Sequence, residues 1–338
     1  MSKRFIYTVT LLLFFAIAAD CAQPPQASSG PKSAADGYPA KNIDIIIPTE
    51  EGGAMDRAVR AFVNVWRTHL KTAFQTSFYP GASGEVGYRF FMKKPDDGYT
   101  LLAGNIGPEI LMYTMQKPDY AFPGDYVYFG TMDADPVVIW VNKNSPFNTI
   151  EDLIEEGKKR PVTVATSRYP HPATLAVLLL GKETGADFNI ISYGGGAPTR
   201  TAAITGEVDA ATTHLSSSSD LSSEIKFLLM FNDKNHWKDI SNDAPTPKEA
   251  LNMDFPSLGA NRAWGVKRDF ITQYPERYKL LVETFTETMK DPKLIDELKK
   301  VGMNPDFLNM LDEEGSMALA NEMLNLAETY KDLLSGGK

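Results

Sequence analysis

Hydrophobic positions along this chain switch between two periods. Ile43–Ile47 is apolar except at Asp44, too apolar for a half-exposed strand and suited to a parallel strand covered on both faces. Residues 48–53 then read Pro-Thr-Glu-Glu-Gly-Gly, after which Val59, Phe62, Val63, Trp66 and Leu70 return at helical spacing. The same switch recurs. It predicts strands at 74–79, 100–104, 137–142, 162–166, 189–193, 208–213, 226–231 and 263–267, and helices at 54–70, 85–93, 109–115, 150–156, 173–183, 198–205, 275–289, 292–301 and 313–334. Alternation of this kind specifies an α/β architecture, with mostly parallel sheets flanked by helices. Helix starts are marked by Thr149 ahead of Glu151 and Asp152, and by Pro198, expected at the first helical position.

Glycine-rich or polar loops at 48–53, 81–84, 104–107, 167–172 and 194–196 each follow a predicted strand and precede a helix. In open α/β sheets the ligand crevice lies beyond the carboxyl ends of the strands, so these loops are expected to converge. Gly52-Gly53 brings free backbone N–H groups to a helix start, where the dipole favours an anion. The plain alternative is a tight turn.

The first residues change the picture. Lys3-Arg4 precedes an apolar stretch over 5–19, too short for a comfortable membrane span and right for a signal peptide, expected at 1–20. Cys21, the only cysteine, cannot form an internal disulfide; its place just past the apolar stretch predicts a lipidated terminus. Ala16-Ile17-Ala18 offers ordinary secretory cleavage as the alternative. Residues 21–40 are rich in Pro, Ser, Ala and Gly and read as a tether. Roughly 300 residues remain, enough for two domains. A net charge of −9 with no basic footprint argues against nucleic acid.

Catalytic signals are sparse. His69, His171, His214 and His236 form no metal-binding pair, and there is no Gly-x-Ser-x-Gly elbow or dinucleotide fingerprint. No cofactor is expected. A secreted or tethered hydrolase using His214 and the serines at 216–219 is the enzymatic alternative.

Taken in order, the loops resemble one family. Residues 46–60, the Pro-Gly-Ala-Ser-Gly loop at 80–84, Pro-Asp-Asp-Gly-Tyr-Thr at 95–100, Tyr-Gly-Gly-Gly-Ala-Pro at 193–198, Gly206-Glu207-Val208-Asp209, Asp243-Ala244-Pro245-Thr246 and Trp264-Gly265-Val266 are similar to landmarks of Bug-type proteins, the receptors of tripartite tricarboxylate transporters. The resemblance implies a type II periplasmic-binding-protein fold, two domains closing like a flytrap. It implies an extracytoplasmic, monomeric receptor without catalysis that passes a small carboxylated molecule to membrane permease subunits; a ligand-sensing subunit is the variant reading. Domain 1 is expected at 41–142 plus 262–338 and domain 2 at 143–261. Ligand contacts are expected from Glu51, Gly52, Gly53, Asp56, Ser83, Asn105, Ile106, Ser167, Arg168, Tyr169, His171, Gly195, Thr213 and Arg262.

Departures from the family sharpen the question. Glu50-Glu51 stands where relatives carry prolines, and would repel an anion if it faced the cleft. In the loop at 166–172, prolines remove two backbone donors. Arg168 is expected to replace them with a bidentate guanidinium, and Tyr169 to stack on a ring. Thr212-Thr213 replaces a common Phe-Asp, which weakens an amino-acid ligand. Trp264 is either core or cleft.

Overall fold

The computed structural model describes residues 37–336; the expected leader and the anchor at Cys21 lie outside them. In chain order the elements are β1 (Ile43–Ile47), α1 (Ala54–Leu70), β2 (Phe74–Phe78), α2 (Glu85–Met92), β3 (Thr100–Ile106), α3 (Pro108–Gln116), β4 (Tyr126–Thr131), β5 (Asp135–Asn142), α4 (Ile150–Gly157), β6 (Val162–Thr166), α5 (Pro172–Thr184), β7 (Phe188–Ser192), α6 (Gly196–Ile204), β8 (Ala210–His214) and β9 (Ile225–Met230). Then come α7 (Lys238–Ser241), α8 (Pro247–Leu251), β10 (Gly259–Lys267), α9 (Arg268–Gln273), α10 (Pro275–Lys290), α11 (Pro292–Lys300), α12 (Glu313–Thr329) and α13 (Lys331–Leu334).

The strands follow one path, β2-β1-β3-β10-β5-β8-β6-β7, with β4 against β10 and β9 against β5. In the first group β1 runs parallel to β2 and β3, while β10 is antiparallel to β3 and β4. In the second, β6 runs parallel to β7 and β8, while β5 is antiparallel to β8 and β9. Strand β10 joins the two: its residues 261–267 pair with β3 and β4, and Gly259 and Ala260 pair with Pro136 and Asp135. The sheets are therefore mixed. Their parallel strands, β1 and β6, are the ones that deliver the glycine-rich and polar loops.

Most elements fall where periodicity places them, and the exceptions have causes. Strand β4 is buried at all six residues, so it has no apolar–polar alternation to read. Helix α6 starts at Gly196, with Gly195 as N-cap. Pro198 is thus its third residue, still inside the turn whose N–H groups have no helical partner. Thr149 caps α4 with a full capping box, its hydroxyl accepting from the Asp152 N–H. Trp264 is core: its ring centroid lies 5.0 Å from Trp66 and 5.3 Å from Phe62. Trp66 donates its indole N–H to Thr284 at 2.9 Å, which lets a large polar-tipped ring stay buried.

Candidate ligand-binding cleft

A cleft of about 480 Å³ opens beyond the carboxyl ends of β1, β6 and β8, where crossover geometry places ligands. Its first wall is Gly52, Gly53, Ala54 and Arg57; its second is Ser167, His171, Gly196, Ala197, Arg200, Thr213, His214 and the loop to Asp220; Val301 and Gly302 complete it.

The first wall is a backbone device. Gly52 adopts φ +80°, a conformation that glycine alone enters cheaply. Its N–H is taken by Asp56 Oδ2 at 2.8 Å, and Asp56 Oδ1 accepts from Arg60 Nε at 2.5 Å. Arg60 then pairs with Glu51 at 2.8 Å. This chain of bonds holds the loop and ties Glu51 to Arg60, and Glu51 is not among the residues that line the cleft. What remains open is the start of α1: Gly53 caps it without any side-chain bond, and the first-turn N–H groups point at the cleft with a positive dipole. Arg57 lines the cleft and, among the described residues, makes no ion pair.

The second wall is built from side chains. Helix α6 also begins uncapped, with no acid in its first turn. Arg200 donates to Ser217 O at 2.7 Å and to Asp220 at 3.0 Å. His171 caps α5, its Nδ1 accepting the Ala173 N–H at 3.1 Å. The neutral ring must therefore carry its proton on Nε2. The His214 ring lies 4.8 Å away, and its Nε2 is buried without a partner among the described residues. Burial, reinforced by neighbouring cations, holds both imidazoles neutral: His171 well below its usual range and His214 at about 3. Thr213 Oγ1 is engaged by Trp140 Nε1 at 3.0 Å and by Ser218.

Behind this wall sits a buried ion cluster. Arg262 pairs through its guanidinium and its backbone N–H with Asp133, and approaches Asp135 at 3.7 Å. Asp135 accepts both the backbone N–H (2.9 Å) and the hydroxyl of Ser216. That hydroxyl is thus committed to a carboxylate, and among the described residues no serine bonds to His214, as a nucleophile–base pair requires.

The family model described as tripartite tricarboxylate transporter family receptor matches residues 67–327. This chain belongs to that family. An Agrobacterium vitis relative, described as a UPF0065 protein in the TAR-I ttuE-ttuC' intergenic region, is 26% identical over 283 residues, spanning 80% of this chain and 78% of its own length. An R. palustris protein solved with adipate aligns at TM-score 0.73 and 21% identity, over 88% of this chain and 98% of its own. MatC from Rhodopseudomonas palustris, with bound malate, aligns at 0.70 and 18%, over 88% and 100%. These structures share the two-domain receptor fold.

The receptor brings together only part of the expected set. Gly52, Gly53, Ser167, His171 and Thr213 line the cleft, and Gly195 caps the helix that does. Asp56 and Arg262 support it from behind. Ser83 and Arg168 meet elsewhere, Arg168 Nη1 donating to Ser83 O at 2.8 Å; the Asn105 N–H bonds Glu109, and Ile106 borders another hollow with Asp135 and Leu258. Tyr169 borders a separate hollow with Leu178, Phe188 and Tyr330. The sequence reading missed Arg57, Arg200 and Asp220 as cleft residues. The first two follow closely on glycine-marked helix starts, a signal that was available. His214, Ser216, Ser217 and Ser219, read from sequence as a catalytic alternative or a solvated loop, line the cleft.

Proposed function

We propose that this receptor is an extracytoplasmic solute-binding protein that captures a small carboxylate-bearing molecule in the cleft between its domains and presents it to the membrane subunits of a tripartite transporter. The observation that carries the reading is the convergence of two uncapped helix starts, α1 and α6, with Arg57 and Arg200 on the same cleft. Main-chain donors, helix dipoles and guanidinium groups all favour an anion. Relatives of this fold carry malate and adipate, which supports the carboxylate class. We place the domain boundaries at 132–134 and at 260–261. Domain 2 then spans 135–260, because β5 pairs along its length with β8 and β9. The apolar leader and Cys21 support secretion with a lipid anchor; Cys21→Ala is expected to release the protein to the soluble fraction.

A thermal-shift screen of mono-, di- and hydroxy-carboxylates tests the reading. A true ligand at a hundredfold excess over its dissociation constant adds about 2.7 kcal/mol. A screen in which no carboxylate raises the melting temperature overturns it.

A further inference from the structure

We infer that Arg168 is a positioning residue: it pins the loop at 81–84 to the loop after β6 and so sets the spacing of the two strand groups, without touching ligand. Its neighbours Ser167 and His171 line the cleft, yet Arg168 itself turns away and donates to the Ser83 carbonyl in the other group at 2.8 Å.

Both ends of this contact are prepared. On one side, the Arg168 carbonyl accepts from Thr174 Oγ1 at 2.9 Å, and Thr174 bonds Thr166 at 2.9 Å, while Pro170 and Pro172 stiffen the loop between. On the other side, Gly81, Ala82, Ser83 and Gly84 run consecutively at φ +118°, +45°, +57° and +108°. Two non-glycine residues in the left-handed region persist only where surroundings impose them. One such hold is Gln116, which donates to Ala82 O at 2.9 Å; Arg168 is the other. Beneath them the buried Glu109 carboxylate accepts from the Asn105 N–H and the Tyr88 hydroxyl, and its Oε1 has no partner among the described residues. Its charge attracts Arg168, opposing the desolvation that depresses the guanidinium. The backbones also touch nearby: a side chain at Gly107 would collide with the Gly259 carbonyl. A charge-assisted bond at this point acts on the equilibrium between open and closed arrangements, and affinity follows the population of the competent one.

The proposal goes beyond the ligand reading, and its main test uses no ligand, so the two can fail separately. Small-angle X-ray scattering of the ligand-free receptor is compared for wild type, Arg168→Met, which keeps length but removes the donors, and Arg168→Lys, which keeps one. The Met variant is expected to be folded and more extended, with a larger radius of gyration; the Lys variant is expected to return toward wild type. Hydrogen exchange at residues 82–85 is expected to speed up roughly tenfold in the Met variant, the loss of one charge-assisted bond, while α1 and α5 keep their protection. A Met variant whose scattering superimposes on wild type, or that fails to fold, overturns the assignment.

Discussion

The two walls of the cleft solve the same problem by different means. The first presents main chain: a glycine turn locked by Asp56, an open helix start, and Arg57, which makes no ion pair among the described residues. The second presents side chains: hydroxyls, two neutral imidazoles and Arg200, with Ser216 tied back to Asp135 and through it to Arg262. A main-chain wall tolerates most substitutions of its exposed side chains, because its donors belong to the backbone. A side-chain wall carries selectivity and is vulnerable to single changes. The acid–base behaviour also differs. In the first strand group, beneath the 81–84 loop, stands Glu109, a buried carboxyl raised to about 7 by desolvation, whereas the second wall holds histidines that burial keeps from charging.

The largest expected effect is at the support of the second wall. Arg262→Ala leaves Asp133 and Asp135 buried without their cation, a change that costs about 3–5 kcal/mol and loosens Ser216. Urea denaturation reads it, and a loss under about 1 kcal/mol would break the claim that this wall depends on the ion cluster. Next come opposite pH slopes. The unfolded chain ionises a glutamate near 4.5 but native Glu109 only near 7, so its contribution falls as pH rises between those values. Glu109→Gln should therefore stabilise by about 2 kcal/mol at pH 8 and by little at pH 4. The histidines act in reverse. Their stabilisation is full above 6.5 and is lost as pH drops, for His214 toward about 3, so His214→Asn should be less acid-sensitive by about 1–2 kcal/mol at pH 5. Parallel pH profiles for the two variants would erase the contrast.

Smaller is the asymmetry between the two cleft arginines. Arg57→Ala is expected to weaken binding of the best carboxylate from the screen about tenfold, with a marked dependence on salt. Arg200, already paired with Asp220, should cost less; calorimetry at two ionic strengths separates them. The smallest effect is Glu51→Ala. Its pair with Arg60 is solvent-exposed and contributes at most about 0.5 kcal/mol. A gain in anion affinity on its removal would mean that Glu51 does oppose the ligand.

Much of this was legible in the sequence. Helix 54–70 and strand 162–166 emerge at the bounds that periodicity predicts, since long amphipathic and fully apolar segments carry strong local signals. The glycine-marked turns also pointed to the cleft. Direction was not legible. Spacing places Arg168 and Arg57 near loops but does not say which way each side chain turns, and the partner of Arg168 lies 85 positions away. Arg262 is likewise fixed by a strand that crosses between groups, so its aspartate partners follow from topology rather than from neighbours in the chain. Tyr169 borders an outer hollow with Leu178 and Tyr330, a placement that spacing does not indicate.

One property of the topology reaches past binding. Every strand of the second group comes from a single uninterrupted stretch, 135–230, inserted between β4 and β10, whereas the first group is assembled from both ends of the described chain. The side-chain wall is thus a cassette with two closely spaced ends. Grafting residues 135–258 from a relative would exchange the side-chain wall in one step and leave the main-chain wall in place. The graft must keep Gly107 facing Gly259 and a partner for Trp237, whose indole N–H donates to Asp306 O at 3.1 Å. A family built this way can diversify what it carries without redesigning how it closes.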